Sequence, residues 1–413
     1  MPDAPLSREH CLALDARDPI RHLRDRFDLP AGVLYLDGNS LGALPKTVAP
    51  RLTAAIEQEW GRGLIRSWND ADWYRAPQRV GAKIAKLIGA DFDEVIVTDS
   101  TSVDLFKVLA AALRMRPGCS KILGVEGDFP TDAYIANGVA AFSGARFVRV
   151  EPRDLIEAID HDVAIVSLTH INYKSGFIHD MPAITKAAHA KGALIVWDLS
   201  HSAGIMPLAL NEAEADFAVG CGYKYLNGGP GAPAYVFVAK RHQHEFDHPL
   251  TGWLGHKDPF AFAPEYIPAQ GMDKLLTGTP PILSLLALDA ALDAFDGVDM
   301  NAVRAKTQSL SQLFVGLVEA RLLRHGFTLA SPRDAHARGG QVSLTHRNGY
   351  AIMQALIARG VIGDYRAPDT VRFGFAPLYT RHVDVFDAAA VIDDVMTSRA
   401  WDTPEFAEKK SVT

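Results

Sequence analysis

Short runs of apolar residues, each closed by one or two polar ones, recur through the middle of the chain. EVIVTDS (94–100) reads as a buried strand, and the amphipathic SVDLFKVLAAAL (102–113) behind it reads as a helix. KILGV (121–125), VAIVSL (163–168), ALIVWD (193–198) and DFAVGC (216–221) predict further strands, and MPAITKAAHAKG (181–192) a helix between two of them. Strands alternating with helices predict an α/β fold, a parallel sheet with helices on both faces. Ligands in such sheets bind beyond the carboxyl ends of the strands, so polar residues there are the first candidates for chemistry.

The pattern changes near residue 290. Long helical stretches (285–296, 301–325) lead to the strand-like GGQVSLTH (339–346) and TVRFGFAP (370–377) of a smaller α+β unit. The expected division is an N-terminal segment, 1–50, packing with the small unit; a large α/β unit, 51–285; and a small C-terminal unit, 286–413. No repeat or low-complexity tract interrupts it.

Composition narrows the classes. At about 100–200 residues per domain, 413 residues fit two or three domains, and 48% hydrophobic residues supply a large core. A net charge of −7 disfavours nucleic acid and anionic membranes as partners. Three scattered cysteines (Cys11, Cys119, Cys221) give no disulfide framework and point to a reducing compartment. The polar opening MPDAPLSREH lacks the apolar core of a signal peptide, and no apolar run approaches the ~18 residues of a membrane span. HQHEF (242–246), the densest histidine stretch, reads as an exposed charged helix rather than a metal site.

Several polar residues fall at strand ends. Asp198 closes ALIVWD, with His201 three residues on, and Lys224 follows DFAVGC inside GCGYKYLNGGPG. Taken singly, Asp198 fits a helix cap and Lys224 a surface amine. Together they match pyridoxal phosphate, whose aldehyde needs an amine for a Schiff base and whose pyridine nitrogen needs a carboxylate. Thr101 and Ser102 open a helix, where hydroxyls and free N–H groups suit a phosphate; the bland alternative is a capping turn. Phe129, after KILGV, offers a stacking face, although a lone Phe fits core packing equally.

NSLG (39–42), FPTD (129–132), WDLSHSAG (197–204), YKYLNGGPG (223–231), GWLGH (252–256), GTPPI (278–282) and RFGFAPLY (372–379) together resemble the kynureninases. These are pyridoxal-phosphate enzymes of the class V aminotransferase family, fold type I, and the resemblance runs from about residue 10 to about 400. It implies that Lys224 carries the cofactor, Asp198 pairs with the ring nitrogen and His201 reaches the ring's phenolic oxygen. It places Thr101, Ser102 and Tyr223 at the phosphate, Phe129 on the ring, and Asp132 and Thr169 as outer contacts. Trp253 and Thr279 match positions that reach the cofactor from the second subunit of a homodimer. The family allows Asn at the position of Thr279, and either side chain donates a hydrogen bond. Arg372 matches the residue that grips the substrate carboxylate through its planar fork; a structural ion pair is the alternative. Asn39, Ser40 and Trp68 are candidates for the aryl pocket, Trp68 fitting core equally.

The implied activity is hydrolysis of L-kynurenine, and of 3-hydroxykynurenine, to the anthranilate and L-alanine. It belongs to tryptophan catabolism and NAD biosynthesis, in a cytoplasmic enzyme without metal. Lys224 removes the α-proton, and Tyr223 donates to the alanine fragment once neighbours lower its pKa from ~10. A cysteine desulfurase is the rival within the fold, but it needs a nucleophilic cysteine on a late loop, and the last one here is Cys221. An aminotransferase shares the Lys, Asp and Arg. A catalytically inactive homologue would be expected to lack one of those three.

Overall fold

The computed structural model describes residues 6–409; the first five residues of the opening stretch, read above for a leader, lie outside the described residues. A seven-stranded sheet forms the centre. Its strands are β1 (Val95–Thr98), β2 (Lys121–Val125), β3 (Arg146–Val150), β4 (Val163–Thr169), β5 (Leu194–Asp198), β6 (Phe217–Cys221) and β7 (Ala234–Val238), in the order β1-β7-β6-β5-β4-β2-β3. All neighbours are parallel except β7, which runs antiparallel to both β1 and β6.

Alternate residues of each strand face opposite cores, as the period of two requires. Leu123, Val125, Ile195, Trp197 and Ala218 face one, packed with Val80, Ile84 and Ile88 of the helix Ala76–Ile88. Ile122, Leu194, Val196, Phe217 and Val219 face the other, packed with Leu105, Val108 and Leu109 of Thr101–Arg114 and with Val139 of Pro130–Ser143. Both faces are covered, which is why these strands read as unbroken apolar runs. The edge strand β3, RFVRV, is only partly covered and carries arginines, so it escapes that reading.

Four antiparallel strands make the second sheet: β8 (Thr328–Leu329), β9 (Gln341–Thr345), β10 (Asp364–Arg366) and β11 (Thr370–Gly374), ordered β8-β9-β11-β10. Leu310 and Phe314 of the helix Met300–Leu317, and Val385 and Ile392 of His382–Thr397, pack behind it. In the N-terminal segment, Asp15 accepts from the backbone of His382 at 2.7 Å and Val383 at 3.0 Å, capping that last helix, while Leu34–Tyr35 pairs with Val361–Ile362. Leu23, Phe27 and Ala43 join the core of the large sheet instead, so the segment touches both units. The helix Ile282–Ala291 lies across the expected 285/286 boundary.

HQHEF is not a helix beyond the single turn Lys240–His242. His242 reaches inward to the buried carboxylate of Asp216 at 2.8 Å, and Phe246 is buried.

Candidate active site

The reversed strand β7 separates β1 from β6 but leaves them parallel, so β1, β2, β4, β5 and β6 all end at one edge of the sheet. Thr101, Phe129, Thr169, Asp198 and Lys224 follow or close those strands, and chain direction alone assembles them.

Lys224 Nζ lies 3.0 Å from Nε2 of His201, and 5.8 and 5.9 Å from the ring centres of Phe129 and Tyr223. The loop is held from behind by NSLG: Gly42 N–H donates to the Tyr223 carbonyl at 2.8 Å. A Cβ on Gly42 would stand 2.3 Å from the Lys224 carbonyl oxygen, so only glycine permits the approach. Asp198 is buried, and its Oδ1 accepts from Ser200 N–H at 2.8 Å, a local turn of the kind a capping role predicts.

Three carboxyls gather at this edge. Burial pushes Asp198 upward, with the Lys224 amine opposing. Burial, then Asp198 and Asp128, push Asp132 well above the usual carboxylate range. Burial also raises Asp128, against the bonds it accepts from Thr169: one from the amide at 2.9 Å and one from the hydroxyl. Burial and the Lys224 charge hold His201 well below its ordinary pKa, so its imidazole is neutral, and its Nδ1 is buried without a partner. One amine facing the buried carboxyl of Asp198 and the half-buried ones of Asp128 and Asp132 leaves a place for a second cation, and a protonated pyridine nitrogen against Asp198 fits it. The helix opened by Thr101 and Ser102 carries no side-chain cap on its first N–H groups, which suits a phosphate. The donor set therefore fits pyridoxal phosphate.

The expectation that neighbours lower the Tyr223 hydroxyl is corrected. Burial raises it, and Cys221 and Asp198 add to the rise, so the phenol stays protonated at neutral pH.

Arg372 joins this cleft through Tyr173. Its Nη1 donates to the Tyr173 carbonyl at 2.5 Å, and the Tyr173 ring stands edge-on to Phe129 at 5.3 Å. The fork itself is engaged: Nε donates to Asp364 Oδ1 at 2.7 Å, Nη2 to Oδ2, and Nη2 also to Ser40 Oγ at 3.2 Å. The structural ion pair given above as the alternative for Arg372 is thus present, with both side chains 2% exposed. Burial pushes Asp364 up, but the bond and charge of Arg372 win and hold it low. Arg366 also pairs with Asp364, at 2.8 Å, and is 38% exposed.

Asn39 is fully buried against Gly374, whose added Cβ would meet Asn39 Oδ1 at 1.8 Å, so it packs in the wall rather than lining open space. Trp68 stands edge-on to Trp73 at 6.0 Å in a small separate cluster with Leu286 and does not join the Lys224 group. Trp253, 38% exposed, packs on Phe260 and Phe262, and Thr279 is exposed; neither meets the cleft of its own chain. Sequence reasoning missed Asp128, Tyr173, Asp364 and Arg366. Asp128 stood beside Phe129 in GDFPTD, and Asp364 and Arg372 are directly opposed across the hairpin β10–β11, a pairing that hairpin register would have exposed.

A sheet with this strand order, a lysine after β6, a carboxylate closing β5 and an open helix end after β1 define a pyridoxal-phosphate enzyme of fold type I. Solved structures share the architecture. The apo cysteine desulfurase from Thermococcus onnurineus NA1 superposes with a TM-score of 0.78 at 20% identity, covering 91% of this chain and 98% of that one. A C-DES mutant with glycine covalently linked to its PLP cofactor gives 0.77 at 18% identity, over 90% and 99%. In sequence, the chain is 51% identical to the kynureninase of Burkholderia mallei strain SAVP1 over 98% of its own length and all of the relative's. It is 49% identical to that of Pseudomonas fluorescens over the same shares. A family model described as the kynureninase C-terminal domain matches residues 303–392. The chain belongs to the kynureninase family.

Proposed function

We propose that this enzyme hydrolyses L-kynurenine to anthranilate and L-alanine, accepts 3-hydroxykynurenine as well, and does so in the cytoplasm as part of tryptophan catabolism. The observation that carries the reading is the Lys224–His201 contact beside the buried Asp198, in a chain matching kynureninases along its full length. Bound pyridoxal phosphate supplies an electron sink for bonds broken at the substrate's Cα and Cβ. Thr101 and Ser102 hold its phosphate, Phe129 covers one ring face, and Asp198 keeps the ring nitrogen protonated. Lys224, beside the neutral imidazole of His201, moves the α-proton. Tyr223, kept protonated by burial, donates to the alanine fragment. Arg372 orients the substrate carboxylate through its Nη1 edge while Asp364 fixes the fork. A desulfurase reading is disfavoured because Cys221 is buried at the end of β6.

The site is completed in a homodimer. Trp253 and Thr279 stand away from their own chain's cleft on a surface that exposes Trp253, Phe260 and Phe262, which a second copy would cover. A division near 50 and 285 fits the two sheets. The cytoplasmic assignment rests on composition; among the described residues no helix is long and apolar enough to cross a membrane.

The test is incubation of the enzyme and cofactor with L-kynurenine while anthranilate fluorescence is followed. Turnover that disappears in Lys224→Ala supports the assignment; no anthranilate from the wild type refutes it.

A further inference from the structure

Asp37, within YLDGNSLG, has no part in the chemistry above, yet it stands beside the residues that would receive the substrate carboxylate. Its backbone bridges Gly374, two residues beyond Arg372. Its Oδ1 is buried without a partner, and the single proton of the neighbouring Ser40 hydroxyl is donated to Asp364 at 2.6 Å. The charged groups facing it are Asp364, Arg366 and Arg372; the phenols of Tyr35, Tyr225 and Tyr379 complete the surroundings, the last two also buried without partners.

The charges of this pocket close on themselves. Two guanidinium groups face two carboxylates, so with both acids ionised the empty pocket is neutral. A substrate carboxylate docking on Arg372 is a third anion among two cations, and an unbalanced buried charge is costly. We propose that Asp37 is the positioning residue that sets the charge of this pocket: it takes a proton from solvent when the substrate carboxylate docks on Arg372 and returns it when the pocket empties. The inference rests on the reading of Arg372 as the carboxylate site.

Of the two acids only Asp37 is available for this. Asp364 is held low by the Arg372 fork, whereas burial and the neighbouring Asp364 push Asp37 up to about 7. A bound carboxylate raises it further. Affinity for a carboxylate ligand is therefore flat below the free-state value and falls up to about tenfold per pH unit above it, because each binding event must then bring a proton. Asparagine, isosteric with the protonated acid, removes that dependence.

The experiment uses the full-length enzyme loaded with cofactor and the probe 4-(2-aminophenyl)-4-oxobutanoate, the substrate skeleton without its α-amine. Calorimetry in buffers of different ionisation enthalpy counts protons. The wild type should take up more than about half a proton per site at pH 8, its affinity should weaken roughly tenfold or more between pH 6.5 and 8.5, and the amide of the probe should bring none. Asp37→Asn should bind the probe without proton uptake and with less than about twofold change over the same range. Unchanged uptake in Asp37→Asn overturns the inference, as does the absence of uptake in the wild type, a measurement that needs no variant to fold. Arg372→Lys separates the two readings. If it weakens the probe while Asp37→Asn keeps its uptake, only Asp37 is misassigned. If it binds the probe like the wild type, the carboxylate docks elsewhere and both readings fall.

Discussion

Arg372 and Arg366 lean on the same carboxylate, and replacing each by lysine should have unequal consequences. Arg372 gives Asp364 two bonds, both side chains being 2% exposed, and spends further N–H groups on the half-buried Tyr173 carbonyl and Ser40 Oγ. A lysine keeps the charge but offers one compact ammonium, which cannot reproduce the fork. Deleting one partner of a buried pair costs about 3–5 kcal/mol. Here the ammonium remains, and Arg366 still stands 2.8 Å from Asp364, so part of that loss is offset. The expected cost of Arg372→Lys is about 2–3 kcal/mol, near that of one lost charged hydrogen bond. Arg366 is 38% exposed and gives Asp364 a single contact at 2.8 Å. Lysine keeps that charge, and Arg372 still holds the carboxylate, so Arg366→Lys should cost about 0–1 kcal/mol. Urea unfolding of both variants, followed by circular dichroism, gives the comparison. A difference under about 1 kcal/mol, or the reverse order, would refute the argument that fork geometry rather than charge holds this wall. In turnover, Arg372→Lys should lose about 2–3 kcal/mol in kcat/KM, roughly 30- to 150-fold.

Tyr223→Phe keeps the ring and removes the donor, so early steps with substrate should survive while alanine release slows by about 10²-fold or more; a variant blocked before any change at the substrate's α-carbon would show a different role. Subunit exchange between Lys224→Ala and Trp253→Ala/Thr279→Ala chains should restore roughly a quarter of wild-type activity, from half the dimers with one intact site each, and activity staying at parental levels after confirmed exchange would assign these residues to their own chain. At the opposite end of the sheet, burial pushes Asp216 up, but bonds from His189 and His242 overcome it and hold the carboxyl low. That stabilisation is complete above the unfolded carboxylate pKa of about 4 and fades as pH falls towards the folded value, so the gap in urea midpoint between wild type and Asp216→Asn should narrow from pH 5 to pH 3; a constant gap would count against it.

The interior of the large sheet was legible because its strands, covered on both faces, read as apolar runs too short for a helix and closed by polar residues. Val163–Thr169 and Leu194–Asp198 lie within a residue of the expected runs. The edge strand Arg146–Val150 hid because its arginines break the run. AYVFV (234–238) carries an apolar pattern but nothing that announces its reversed direction, which depends on which neighbours it finds. The chemistry was legible where a residue type has few other uses at a strand end, as with Asp198 and Lys224. It was not legible where function depends on a partner brought from elsewhere: the Asp364 carboxylate across the hairpin, or the burial that raises Tyr223 rather than lowering it.

The reversed strand β7 also decides when in the life of a chain this site can exist. Among the described residues β1 is an edge strand whose neighbour in the sheet is β7, with Val97 opposite Tyr235. Until residues 234–238 are present, β1 has no partner strand, and the Thr101 helix is held to the sheet only by the packing of Leu105, Val108 and Leu109. A fragment ending just after Lys224 would contain Thr101, Ser102, Phe129, Asp132, Thr169, Asp198 and His201 and still lack the strand that pairs with β1. Closing that loop carries an entropy cost that only the finished sheet offsets. The strand order thus ties the phosphate end of the site to a strand made after the lysine, so one chain's cleft is closed only once synthesis has passed residue 238, beyond the midpoint of 413.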